Sequence, residues 1–111
     1  DDMAEASLHI LMLDKKEFYS GVNPMISHIN IGTGRDITIK ETAEIIKEVV
    51  GFKGEITFDT SRPDGVLKKL TDISRLSNMG WNYSTDLKEG LKMTYDWFLK
   101  KNEFEKYNGI K

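Results

Sequence analysis

Arg62, Lys68 and Lys69 cluster around one carboxylate in the run Ser61-Arg62-Pro63-Asp64-Gly65 and the residues just downstream. Arginine suits a diphosphate because its planar fork donates two parallel hydrogen bonds to anionic oxygens, and lysine adds point charge. Asp64 can accept from a sugar hydroxyl or from the ring and amino N–H groups of a purine. Pro63 and Gly65 fix the backbone direction, so the loop can hold these groups in a limited set of geometries. A solvated loop in which Arg62 pairs with Asp59 or Asp64 accounts for the same residues, and composition by itself favours it. The chemistry of the side chains leaves both readings open, and this loop is the best site candidate in the chain.

Other constellations argue for structure rather than chemistry. Gly32-Thr33-Gly34 starts like a dinucleotide-binding turn, but the third glycine that lets helix and strand pack beneath a pyrophosphate is replaced by Ile37. His9 and His28 are the only imidazoles and have no cysteine or carboxylate cluster at ligand spacing, so no metal is expected. Among Tyr19, Tyr83, Tyr95 and Tyr107, only Tyr107 has a lysine four residues on, Lys111, in a polar tail unsuited to a rigid catalytic pair. Trp81, Tyr83, Trp97 and Phe98 could stack on a nucleobase, yet their helix-end and helix-face positions read as core. Asp1 and Asp2 read as a helix cap rather than a catalytic pair.

The elements that must position these groups follow from periodicity. Met3, Ala6, Ile10 and Leu13 recur at helical spacing, and Ala4, Leu8, Leu11 and Met12 widen the apolar face beyond a stripe, so a helix over 1–14 needs covering on more than one side. Residues 15–27 read as a loop, and His28-Ile29-Asn30-Ile31 as a short strand closed by the glycine turn. Thr38 with Glu41 is a capping box, Ile39, Ala43, Ile46 and Val50 share a face with Thr42 and Val49 beside them, and Gly51 ends that helix. Glu55 to Phe58 alternates as a strand does, so the pattern predicts a parallel crossover of strand, helix and strand. A brief helix is expected from Ile73 to Asn78, ended by Gly80. Asp86 with Glu89 then opens a last helix that should fade near Lys101 to Asn102.

A chain of 111 residues with 39% hydrophobic content supports one compact domain or a piece of one, in the α/β class. It starts at Asp1 with a dense apolar pattern already under way, which reads as a boundary inside a longer polypeptide. A helix left without its neighbour exposes apolar surface, so marginal solubility or self-association is expected. Sixteen basic and eighteen acidic residues are spread without a block of either sign, which argues against a nucleic-acid partner. Apolar runs are too short for a membrane span, and no signal segment opens the chain. The lack of cysteine agrees with a reducing compartment, so a cytoplasmic location is expected.

Taken in order, Asp1-Asp2-Met3-Ala4, the run from Ser27 to Gly34, Thr38 to Gly54, Phe58 to Gly65 with Lys69-Leu70, Leu76, Gly80-Trp81, Gly90-Leu91 and Thr94 to Phe98 resemble the C-terminal region of the GDP-L-fucose synthase family. The glycine turn and the Gly-Trp step are shared across extended short-chain dehydrogenase/reductases. The Ser-Arg-Pro-Asp-Gly loop is narrower and points to the fucose synthase branch. The resemblance implies that residues 1–111 are a small substrate-binding lobe of helices and a few short strands. A Rossmann domain outside this chain would hold NADPH and the catalytic residues, with the 1–14 helix at the interface to it. It implies a GDP-sugar substrate, a homodimeric whole enzyme and, in this chain, neither catalytic nor cofactor-binding residues. By position it implies Asp64 as the substrate contact, with Arg62 and Lys69 as weaker contacts; the family often carries lysine at the position of Arg62. Two alternatives stay open: the C-terminal part of another nucleotide-sugar epimerase, dehydratase or reductase, and a non-catalytic binding module.

Overall fold

The computed structural model describes residues 1–26, 28–63, 65–66 and 68–107, with side chains as far as Lys101. Its helices are α1 (Asp2–Met12), α2 (Lys15–Ser20), α3 (Ile39–Val50), α4 (Ser74–Asn78) and α5 (Leu87–Tyr107). They divide between two units: Asp1–Asp36 with Asp64–Ser84, and Ile37–Pro63 with Thr85–Lys111.

In the first unit, α1 carries Asp2 and Glu5 in its first turn, charges that suit the helix dipole. Asp1 sits at the cap position, but its side chain makes no capping bond. Asp2 works differently from the expected cap: its carboxylate accepts from the Ser84 hydroxyl at 2.9 Å and the Ser84 amide at 3.0 Å. Residues 15–20 were expected in a loop and form α2 instead. Asp14 accepts from the Lys16 amide at 2.8 Å, and Glu17 in the first turn completes an acidic start that the sequence displays. Ala6, Val22, Leu76 and Met79 are buried and make the core. Arg75 fastens the chain over them, donating from Nη1 to the carbonyls of Ile26 at 2.8 Å and His28 at 2.9 Å.

In the second unit, α3 forms as the sequence predicts. Thr38 Oγ1 accepts from the Glu41 amide at 3.1 Å, and Glu41 Oε2 accepts from the Thr38 amide at 2.8 Å. Gly51 closes the helix at φ 70°, where a side chain would strain the backbone. α3 packs on α5, whose start is fixed by Asp86 accepting from the Glu89 amide at 2.8 Å. The packed face is rotated toward the flank of the one expected, keeping Ala43, Thr42 and Val49. Thr42, Ala43, Ile45 and Val49 are half-buried, while Ile39, Ile46 and Val50 stay exposed, because the apolar surface of α3 is wider than one neighbouring helix covers. α5 also runs past Asn102 to Tyr107, through residue types that favour helix and before the next glycine, Gly109.

The segments expected as strands, 28–31 and 55–58, form no ladder among the described residues. The pairing recorded there is an isolated bridge between Asn23 and Ile26. Ile29 and Ile31 are half-buried between exposed His28 and Asn30, so the period of two correctly reports alternating faces. Alternation does not report whether a hydrogen-bonding neighbour is present, and the expected parallel crossover is absent from the described residues.

Candidate functional site

Each side of the candidate loop is fixed within its own unit. In the second, Asp59 Oδ1 accepts from the Ser61 amide at 2.9 Å and makes an aspartate turn. Hydrogen bonds from Ser61, first from its hydroxyl and then from its amide, hold the Asp59 carboxyl below its ordinary pKa. Asp59 is thereby engaged with the backbone, and of the two pairings weighed for Arg62 the one with Asp59 is not formed. Arg62 is exposed. Asp64 lies outside the described residues.

In the first unit, Lys69 is exposed on an extended run that leads to α4. Asp72 stops that run: its Oδ1 accepts from the Ser74 amide at 2.9 Å, and its carbonyl accepts from Asn30 Nδ2 at 3.1 Å. The Ser74 amide, then the Ser74 hydroxyl, hold the Asp72 carboxyl below its ordinary pKa. A shallow cleft beside this run is lined by Leu70, Thr71, Asp72, Ser74, Ser77 and Asn78 among others. Its hydroxyls, its amide and the Asp72 carboxylate can exchange hydrogen bonds with a polyhydroxylated ligand. The guanidinium of Arg35 lies over the Tyr83 ring, 5.7 Å from its centroid. Sequence reasoning passed over Arg35, although it directly follows the glycine turn.

The glycine turn does not fit a dinucleotide. A Cβ at Gly34 would come within 2.8 Å of Ile73 Cδ1, and φ is 66°, so the glycine serves close packing on Ile73. At the start of α3 the amides that could face a pyrophosphate meet the Thr38–Glu41 box. The Glu41 carboxylate there, lowered in pKa by the Thr38 amide first and the Thr38 hydroxyl second, would repel an anion. Neither the glycine turn nor the start of α3 therefore offers a dinucleotide site.

His9 Nε2 lies 2.7 Å from the carbonyl of Met79, a structural tie between α1 and the end of α4. Trp81 and Tyr83 are half-buried, but Trp97 and Phe98 were expected in the core and are exposed. Lys101 Nζ sits 5.3 Å from the Trp97 ring centroid. No group of three or more metal-ligating side chains occurs among the described residues. No helix there is long and apolar enough to cross a membrane.

No protein-family model matches the chain. It is 48% identical over 103 residues to the GDP-L-fucose synthase of Escherichia coli K12, covering 93% of this chain and 32% of that relative. The chain is homologous to the C-terminal part of the GDP-L-fucose synthases. It spans about a third of the length of such relatives. Two solved structures from Campylobacter jejuni carry the likeness into the fold. A GDP-6-OMe-4-keto-L-xylo-heptose reductase is 38% identical, with a TM-score of 0.76 over 91% of this chain and 29% of its own. A GDP-mannoheptose C4 reductase with NADP bound is 39% identical, with a TM-score of 0.72 over 88% and 29%. The residues matched are those of a C-terminal lobe of an extended short-chain dehydrogenase/reductase, without a Rossmann domain.

Proposed function

We propose that this chain is the GDP-sugar-binding lobe of a cytoplasmic, NADPH-dependent GDP-L-fucose synthase. The whole enzyme converts GDP-4-keto-6-deoxy-D-mannose to GDP-L-fucose by epimerising C3 and C5 and reducing the C4 ketone with hydride. The observation that carries this reading is the 48% identity to the Escherichia coli synthase across nearly the whole chain. NADPH and the reacting groups belong to the part of the enzyme outside these residues, so the 111 residues are inactive alone. Asp64 contacts the GDP moiety, while Arg62 and Lys69 supply positive charge to the diphosphate. The exposure of Arg62 and Lys69 supports that assignment.

Asp64→Ala in the full-length polypeptide tests it. Loss of a hydrogen bond between a charged group and the substrate should raise KM for the GDP-sugar about 10- to 100-fold, with NADPH affinity unchanged. Equal loss of both affinities would reject the assignment. A second reading is favoured by the heptose reductases among the solved neighbours: GDP is common to them and to the synthases, and the sugar differs. Turnover of a panel of GDP-sugars by the full-length polypeptide separates the two.

A further inference from the structure

Lys69 reaches solvent from a run that does little to hold itself in place. Residues 68–72 belong to no helix or strand, and among the described residues no backbone-to-backbone hydrogen bond joins them to another segment. A lysine side chain is long and flexible, so its ammonium is aimed only as well as the backbone beneath it is fixed. What fixes this backbone is a bracket of side-chain contacts inside the first unit. Asn30 Nδ2 donates to the Asp72 carbonyl at 3.1 Å. Arg75 donates from Nη1 to the carbonyls of Ile26 at 2.8 Å and His28 at 2.9 Å, and so holds the segment that carries Asn30. Ile73 fills the space beside Gly32 and Gly34, where an added Cβ would come within 3.5 and 2.8 Å of it.

Asn30 differs from the other members of this bracket. Ile29 and Ile31 are half-buried, whereas Asn30 is exposed, so its amide could be hydrated by water at no cost to the core. Its bond instead goes to a single carbonyl of the run that carries Lys69. We infer that Asn30 is a positioning residue for substrate binding: by holding the Asp72 carbonyl it fixes the run that presents Lys69 to the diphosphate of the GDP-sugar. The inference rests on the proposed role of Lys69. A run ordered before the substrate arrives loses less conformational freedom on binding, and the gain appears in affinity.

A double-mutant cycle in the full-length polypeptide tests this. Asn30→Ala removes the donor to Asp72 at an exposed position, so NADPH affinity should hold while KM for the GDP-sugar rises about 2- to 10-fold, the range of one neutral hydrogen bond. In a Lys69→Ala background the same substitution should leave KM where Lys69→Ala alone sets it, because no ammonium remains to be aimed. Asn30→Leu, close in size and without a donor, should behave as Asn30→Ala does, which separates loss of the bond from loss of bulk. A rise by the same factor in both backgrounds overturns the inference, since Asn30 would then act on the lobe at large. An unchanged KM in Asn30→Ala, with Lys69→Ala raising it, also overturns the inference and leaves the role of Lys69 standing. If Lys69→Ala itself leaves KM unchanged, the role of Lys69 falls and the positioning role falls with it.

Discussion

Several side chains that reach far along the sequence tie the first unit together, whereas in the second most described side-chain bonds reach only a few residues. The ion pair of Lys88 with Glu48, 40 residues apart, is the long-range exception. Asn30, Arg75, His9 and Asp2 bridge separations of 42 to 82 residues in the first. In the second, Thr38 with Glu41, Asp86 with Glu89 and Asp59 with Ser61 span two or three. The buried core follows the same division: among the described residues all four buried ones belong to the first unit, while α3 and α5 share half-buried contacts. Long-range ties form only after large loops have closed, at an entropic cost that a sealed core can offset. Local caps lower the cost of starting a helix and need no core to form.

The sharpest way to break the first unit is therefore through its core. Leu76 is 1% exposed and is its largest fully buried side chain. Leu76→Ala removes packed atoms and leaves a cavity, so a loss of about 2–5 kcal/mol is expected. Leu76→Met keeps the volume and should cost less than about 1.5 kcal/mol. Trp81 is half-buried in the same unit, and its amide donates to the Leu76 carbonyl at 3.3 Å, so its fluorescence follows this core. Urea titration in a Trp97→Phe background isolates that signal. An alanine variant as stable as the methionine variant would mean that Leu76 does not hold the unit.

The same contrast governs what could be read from sequence. α3 was legible from end to end because Thr38, Glu41 and Gly51 act on their own neighbours, and the start of α5 was legible through Asp86 and Glu89. The bond from Ser84 to Asp2 has no local signature, and neither does the fork of Arg75 over two carbonyls. The strands failed for a related reason: alternation at 28–31 and 55–58 is local, but a ladder needs a second segment that sequence does not point to. At the candidate site, the charge of Arg62 and the stiffness of Pro63 were visible, and the engagement of Asp59 with Ser61 was not. The role of Asp64 came from resemblance, because a lone carboxylate beside cations fits an ion pair as well as a ligand contact.

A smaller effect probes the local side of the comparison. The Thr38 amide and hydroxyl both lower the Glu41 pKa, so the carboxylate binds fewer protons in the folded helix than in the unfolded chain. Its contribution is complete above the ordinary value of 4.5 and is lost as pH falls through the depressed folded value. Hydrogen exchange of the α3 amides should therefore show constant protection above that pH and declining protection below it. Glu41→Gln keeps an acceptor for the Thr38 amide and should flatten the decline. Thr38→Ala should weaken the helix at every pH, by about 1 kcal/mol. A pH step that survives in Glu41→Gln would assign it to another carboxyl group.

The smallest effect is expected at an ion pair in the second unit that is as local as the caps. Lys92 Nζ and Asp96 Oδ2 are 2.7 Å apart, one helical turn along α5, with side chains 69% and 46% exposed. Water and salt screen a pair this open, and fixing a lysine side chain opposes the gain, so Lys92→Ala should change stability by less than about 0.5 kcal/mol. That change should shrink further in high salt. A cap bonds a backbone amide that has no partner inside its helix, whereas Lys92 and Asp96 are both well hydrated without each other. Thermal melts of Lys92→Ala and Thr38→Ala at two salt concentrations compare these two kinds of local contact. A salt-insensitive loss at Lys92 as large as that at Thr38 would show that sequence proximity matters more than what the bond satisfies.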